Sequence, residues 1–237
     1  MKAHKQIRAG AAFAVLGALS ATVLQAQDNS PYSFMFKIRA GLTAGDIQDT
    51  HFDNKIMGFG AEVTKKMPKL GGALSAELAW EYVPGRHHDV MVPGGSLNLD
   101  PYYSYDNRKE YGQGFSLKFA YIAPLRLLSG FDWFAGVSAD SYKVRSEFKY
   151  TLKDGGGALH VGGGGTFVEE ASEISPGAFV GLKYKISDEI GAEVSLRNFG
   201  MSHLDFTPGA YLGSATGRME TGSSRGWALE FGISVKL

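Results

Sequence analysis

Residues 226–237 alternate with a period of two. Trp227, Leu229, Phe231, Ile233, Val235 and Leu237 share one face, and Gly226, Ala228, Glu230, Gly232, Ser234 and Lys236 share the other. This constrains the chain more than any other feature, because a wholly apolar face at period two admits only a strand. About ten such residues can cross a membrane with lipid on the apolar side and a polar lumen on the other. A lone strand would leave its backbone donors and acceptors unsatisfied in lipid, so the pattern also demands partners and closure.

The same alternation recurs upstream. The first strand sets Tyr32, Phe34, Phe36, Ile38, Ala40 and Leu42 against Ser33, Met35, Lys37, Arg39, Gly41 and Thr43. The second sets Met57, Phe59, Ala61 and Val63 against Gly58, Gly60, Glu62 and Thr64. In the third, Leu74, Ala76, Leu78, Trp80 and Tyr82 oppose Ser75, Glu77, Ala79 and Glu81. In the fourth, Phe115, Leu117, Phe119 and Tyr121 oppose Ser116, Lys118 and Ala120. The fifth turns Phe131, Trp133, Ala135, Val137 and Ala139 away from Asp132, Gly136, Ser138 and Asp140. The sixth sets Ala178, Val180, Leu182, Tyr184 and Ile186 against Gly181, Lys183 and Lys185, and the seventh sets Ile190, Ala192, Val194 and Leu196 against Gly191, Glu193, Ser195 and Arg197. In the fifth strand the phase changes near Ser141, after which Tyr142, Val144, Phe148 and Tyr150 alternate with Lys143, Arg145, Glu147 and Lys149. A bulge, or a ribbon continuing past the membrane, explains such a change.

Connections near residues 44–55, 84–111, 153–176 and 204–225 are long, and those near 66–72, 124–130 and 187–189 are short. Membrane barrels pair long external loops with short periplasmic turns in this way. Alternation alone does not say which face points outward, since a soluble barrel puts the same apolar face inside. The aromatic positions break the tie. Trp80, Tyr82, Phe115 and Trp227 fall at strand ends next to long connections. Tyr32, Phe34, Tyr121, Phe131, Trp133 and Tyr184 fall at the opposite ends. Two aromatic belts are what the two membrane interfaces select for. The expected fold is therefore all-β, an eight-stranded antiparallel up-and-down transmembrane barrel.

With the pattern established, residues 230–237 resemble the C-terminal signal of bacterial outer-membrane barrels, which runs polar, any, Gly, any, any, hydrophobic, any, hydrophobic. Glu230, Gly232, Val235 and Leu237 fill the defined positions, with Leu237 in place of the usual aromatic. The chain thus resembles the small eight-stranded outer-membrane barrel proteins, a likeness of architecture and terminal motif. It implies placement in the bacterial outer membrane, with lipid, lipopolysaccharide and the barrel-insertion machinery as partners, and external loops open to an extracellular ligand.

The N-terminus agrees with export. Lys2, Lys5 and Arg8 precede an apolar run from Ala9 to Leu24, and we read residues 1–26 as a secretory signal peptide cleaved after Ala26. The competing reading, a single N-terminal anchor, suits the run less well because it is short and rich in Gly and Ala. Residues 27–237 then form one barrel domain. Removing residues 1–26 takes three of the 24 basic residues and none of the 24 acidic ones, which leaves a net charge of −3 and argues against a nucleic-acid partner. The sequence has no cysteine, so neither disulfides nor thiolate metal sites hold it together.

With the apolar face outward, Lys37, Arg39, Lys118, Lys183, Lys185, Arg197 and Lys236 point inward together with Glu62, Glu77, Glu81, Asp132, Asp140, Glu193 and Glu230. An eight-stranded interior is just wide enough for side chains to fill, so these charges are expected to interlock rather than to line an open channel. Inward glycines, among them Gly41, Gly58, Gly60, Gly136, Gly181, Gly191 and Gly232, make the room. For Glu230 the adjoining strands offer Lys37, Arg39 and Arg197 as partners.

Other constellations are weaker. Ser202, His203 and Asp205 suggest nucleophile chemistry, and lipid A deacylases keep a Ser and a His in a comparable place, but adjacent residues of a strand point apart. Glu77 and Glu81 stand too far apart for paired acid and base work and are expected to salt-bridge. His87, His88 and Asp89 lack the ligand number of a metal site. The run of glycines 155–157 and 162–165 lacks the Lys-Ser/Thr of a phosphate loop. The segment with Pro101, Tyr102, Tyr103, Tyr105 and Asn107 suits recognition of a partner. No cofactor, metal or catalytic residue is expected. The function expected is that of a surface-interaction or structural protein with a charge-filled lumen, with a narrow channel and then a lipid A-modifying enzyme as the alternatives.

Overall fold

The structure, a computed structural model, describes residues 31–45, 52–85, 88–93, 102–107, 111–153, 159–211 and 214–237. Strands β1 (Tyr32–Gly45), β2 (Lys55–Met67) and β3 (Gly72–Pro84) are followed by a hairpin, β4 (His88–Pro93) and β5 (Tyr102–Asn107). Then come β6 (Tyr111–Pro124), β7 (Phe131–Lys153), β8 (Leu159–Lys185), β9 (Ile190–Tyr211) and β10 (Ser214–Lys236). Eight of these, all but β4 and β5, form an antiparallel ring that closes where β10 pairs with β1, Phe36 opposite Val235 and Leu42 opposite Leu229. Closure gives every ring strand two neighbours and removes the free edge that lipid does not tolerate. Short turns join the strands at one end: a single 3-10 turn at Pro68–Leu70 whose cap, Gly71, needs φ +67°, and a turn ending at Gly130 with φ +83°.

Ile38, Leu78, Phe119, Val137, Val180, Phe231 and Ile233 stand exposed on the outer wall, while Lys37, Glu62, Glu77, Lys118, Asp140, Arg197 and Glu230 are buried inside it. This is the inverse of a water-soluble barrel. The fold is a membrane-spanning barrel, as its alternation requires.

Strands β7 to β10 run 22 to 27 residues, roughly twice the length of β1 to β3 and β6. Much of 153–176 and 204–225, expected as loop, is paired strand: β7 with β8 up to Thr151 opposite Gly164, and β9 with β10 up to Tyr211 opposite Ser214. These ribbons are rich in Gly, Ser and Thr, and backbone hydrogen bonding builds them without a hydrophobic alternation for the sequence to display. The connection at 84–111 likewise contains the β4–β5 hairpin, whose β5 adds to the outer part of β7 with Tyr105 opposite Tyr150.

The phase change at Ser141 is not a bulge. The register of β7 with β6 and with β8 passes through Ser141 unbroken, and the only irregularity on that strand among the described residues lies at Thr151 to Lys153. What changes is the surroundings. Below Ser141 the apolar side chains of β7 face lipid; above it Tyr142, Val144 and Phe148 are buried within the barrel, and Lys143 and Arg145 take the outside. The ribbon continues out of the membrane into water, where the rule for a soluble protein applies again. Residues 1–26, His87, Pro101 and glycines 155–157 lie outside the described residues.

Candidate functional site

The lumen is built from small residues set opposite long ones. Lys37 registers with Gly60 and Ser234, Arg39 with Gly58 and Gly232, Glu230 with Gly41 and Ser195, and Arg197 with Ala228. A Cβ on Gly232 would stand 2.9 Å from Glu193 Cγ and 3.2 Å from Arg39 Cγ, so these charged chains occupy the space that the missing side chain vacates. Gly136 and Gly181 make room instead for Phe179 and Phe134, aromatic rings that turn inward.

Two linked layers of ions fill the space. In the lower one, Glu62 and Glu77 lie directly opposite each other, a repulsive pair in isolation. Lys37 Nζ sits between them, 2.8 Å from Glu62 and 3.1 Å from Glu77, and also 2.9 Å from Glu193. Arg39 grips Glu77 with both terminal guanidinium nitrogens and donates from Nε to Glu193 at 2.8 Å. Lys183 reaches the Glu62 carboxylate at 2.9 Å and stands 5.6 Å from the centre of the Phe134 ring.

In the upper layer Arg197 is the hub and is 0 % exposed. Its Nη1 donates to Asp140 at 3.0 Å, and its Nη2 lies 2.7 Å from Glu81 and 2.8 Å from Glu230. Lys118 bridges Glu81 at 2.9 Å and Glu230 at 3.4 Å. Hydroxyls complete the upper layer: Tyr142 donates to Glu81, and Ser116 and Ser138 to Asp140. Five cations, Lys37, Arg39, Lys118, Lys183 and Arg197, thus meet six carboxylates, Glu62, Glu77, Glu81, Asp140, Glu193 and Glu230. The excess carboxylate explains why hydroxyl donors are needed, since a buried acceptor without a donor is costly.

Three charges of the same inward parity lie apart from this network. Asp132, Lys185 and Lys236 line an open vestibule of about 530 Å³ at the turn end of the barrel. There Lys185 pairs with Asp188, and that hydrogen bond, with the attraction of Lys185 and Lys236, holds the Asp188 carboxyl below its ordinary range. Parity puts a residue on a face; its depth along the strand decides whether it meets the layer or water. Glu230 meets Arg197, Lys118 and, at 4.0 Å, Arg39, whereas Lys37 turns to Glu62, Glu77 and Glu193.

Above the ions the lumen becomes apolar. Phe52, Ile56, Val83, Val144, Phe199, Met201 and Leu204 pack with Tyr142 into a buried cluster. Phe52 comes from the connection between β1 and β2 and is held by a bridge to Gly85. Arg197 joins the two regions, with its guanidinium carbon 4.8 Å from the centre of the Phe199 ring. Among the ions lie two small spaces of about 20 and 10 Å³. Roughly 10–15 Å³ holds one water, so these spaces have room for one water or so each.

The aromatic side chains lie at both ends of the outer wall. Phe59, Trp80, Tyr82 and Tyr111 form a chain of ring contacts at 5.4, 6.3 and 5.9 Å on the side of the long connections, with Phe115 beside Trp80 in register. Tyr111 joins this chain although the alternation in the sequence begins only at Phe115. Trp227 is opposite Asn198 and Ala44. At the turn end Tyr121 meets Trp133 at 5.7 Å and Phe131 meets Tyr184 at 4.7 Å, while Tyr32 and Phe34 open β1 opposite Lys65 and Val63.

The triad candidate divides. Ser202 donates to Glu173 at 3.1 Å, and the hydroxyl that meets His203 Nδ1, at 2.9 Å, belongs to Ser224. His203 Nε2 lies 3.1 Å from Asp205, and Ser224 is buried, 4 % exposed. Among the described residues no three metal-ligating side chains converge.

No family model matches the chain, and no curated protein matches it. Solved structures do. Neisserial surface protein A is 10 % identical, with 88 % of this chain and 98 % of that one covered at a TM-score of 0.43. Ail, the attachment invasion locus protein of Yersinia pestis, is 11 % identical, with 87 % and 97 % covered at 0.39. The outer membrane protein OprG of Pseudomonas aeruginosa is 12 % identical, with 87 % and 95 % covered at 0.38. At these identities the likeness is one of fold.

Proposed function

We propose that this chain, with the fold of small outer-membrane barrels, is an integral outer-membrane protein that acts at the cell surface through its extracellular strand extensions while its lumen stays shut. The observation that carries this is the filled interior: two ion layers with small spaces of about 20 and 10 Å³ among them, roofed by an apolar cluster. The extensions supply the complementary half. β7 to β10 and the β4–β5 hairpin continue as paired strands beyond the lipid-facing band, which is more folded surface than anchoring alone requires. Removal of residues 1–26, insertion through the C-terminal strand, and contact with lipopolysaccharide belong to the same proposal.

Cells displaying the full chain, compared with cells displaying a variant in which a Gly-Ser turn replaces residues 88–107, test it. Surface binding or cell–cell aggregation is expected with the full chain and not with the variant, at equal barrel assembly and equal uptake of small solutes. A drop in uptake with unchanged surface behaviour would favour the channel alternative.

A further inference from the structure

On the outer wall, where β7 leaves the lipid-facing band, a groove of about 270 Å³ is lined by Trp80, Gln113, Phe115, Ser141, Lys143 and Ser172. Its lower edge is aromatic and its upper edge is polar. The register explains the change: Trp80, Phe115, Ser141 and Ile174 follow one another across β3, β6, β7 and β8, and one step further out Gln113, Lys143 and Ser172 do the same. The groove therefore straddles the level at which the outer face changes from apolar to charged, which is where lipid headgroups lie.

Its charge is not neutral. Lys143 lies 2.6 Å and Arg145 3.4 Å from opposite oxygens of Glu170, two cations on one carboxylate, and all three side chains are partly open to solvent. The hydrogen bond from Lys143 keeps the Glu170 carboxyl below its ordinary range, so the carboxylate persists as a partner of Lys143, which lines the groove, and of Arg145, one step further out on β7. An ammonium has three donors and a guanidinium five, more than one carboxylate absorbs.

We propose that this groove holds the phosphorylated headgroup of an outer-leaflet lipid, with its acyl chains on Phe115 and Trp80 and its phosphate on Lys143 and Arg145. Phosphate is a fitting anion because Arg and Lys make strong charge-assisted hydrogen bonds to it and its several oxygens can take donors from both side chains. The apolar wall below continues directly into the groove, so an amphiphile satisfies both edges where a free anion satisfies one. The inference rests on outer-membrane placement and not on the closed lumen; a conducting barrel would leave it standing.

The test is native mass spectrometry of the detergent-solubilised full chain titrated with lipid A, with the same lipid stripped of its phosphates, and with inorganic phosphate. Lys143→Ala with Arg145→Ala, outside the lumen network, is expected to weaken binding of the phosphorylated lipid by about thirtyfold, taking each basic group at a membrane surface at its usual contribution. Glu170→Gln is expected to strengthen it. The dephosphorylated lipid should bind weakly to every form. Equal affinity of both lipids, or no effect of the double substitution, overturns the proposal. So does inorganic phosphate binding as tightly as the lipid, which would make the groove a site for a free anion.

Discussion

Replacing Arg197 with methionine is expected to destabilise the folded barrel by about 3–5 kcal/mol, the usual consequence of removing one partner from a buried charge network. Methionine keeps most of the length and the contact with Phe199 but removes the charge. Glu81, Asp140 and Glu230 then lose their common cation, and of these Asp140 is left with only the hydroxyls of Ser116 and Ser138 as partners of its own. Urea unfolding from lipid vesicles, followed through the tryptophans at the two rims, measures the loss. Adding Asp140→Asn to Arg197→Met should recover part of it, because the carboxylate left without a cation is then neutral while Glu81 and Glu230 keep Lys118. A loss near zero for the single substitution would show that Arg197 is solvated and that its three carboxylates do not depend on it.

The second large effect concerns the outer wall. Val137 is 60 % exposed midway along the lipid-facing part of β7, and Ile174 is 75 % exposed on β8 opposite Ser141, where the outer face turns polar. Lysine at Val137 is expected to cost about 2–4 kcal/mol and lysine at Ile174 about 0–1 kcal/mol, the known depth dependence of charges on a barrel's lipid face. The same unfolding experiment checks both. Equal and small costs would mean that Val137 meets water, and the barrel would then not span lipid at that level.

The contrast on either side of Ser141 also explains what the sequence displays and what it hides. Within lipid one strand face must be apolar and the other must pack charges, so β1, β2, β3 and the lower parts of the other ring strands announce themselves through period two. Outside lipid the ribbons of β8, β9 and β10 are held by backbone bonds between small polar residues, and nothing in 153–176 or 204–225 separates them from loop. The inversion at Tyr142, Val144 and Phe148 is visible in sequence, but only the unbroken register shows that it marks exit from the membrane and not a bulge.

For the lumen, parity identifies the charged residues that face inward without giving their depth. Asp132, Lys185 and Lys236 share the parity of the network and lie at its mouth. Pairing across the lumen is also invisible from neighbouring strands: Lys118 on β6 reaches Glu230 on β10, and Lys183 on β8 reaches Glu62 on β2. Phe52 is the clearest residue missed, an aromatic in a connection with no periodic context, and Phe134 and Phe179 break the charged face that their strands otherwise present. A single large apolar residue among loop or inward positions is the one signal that would have found all three.

The claim that the interior is closed is tested most directly by planar-bilayer recording of the purified, refolded full chain. With ion pairs from Lys37 to Arg197 filling the lumen and small spaces of about 20 and 10 Å³ among them, the expected trace shows insertion without steady current steps at either polarity. Stable, reproducible single-channel conductance from the unmodified protein would contradict the account.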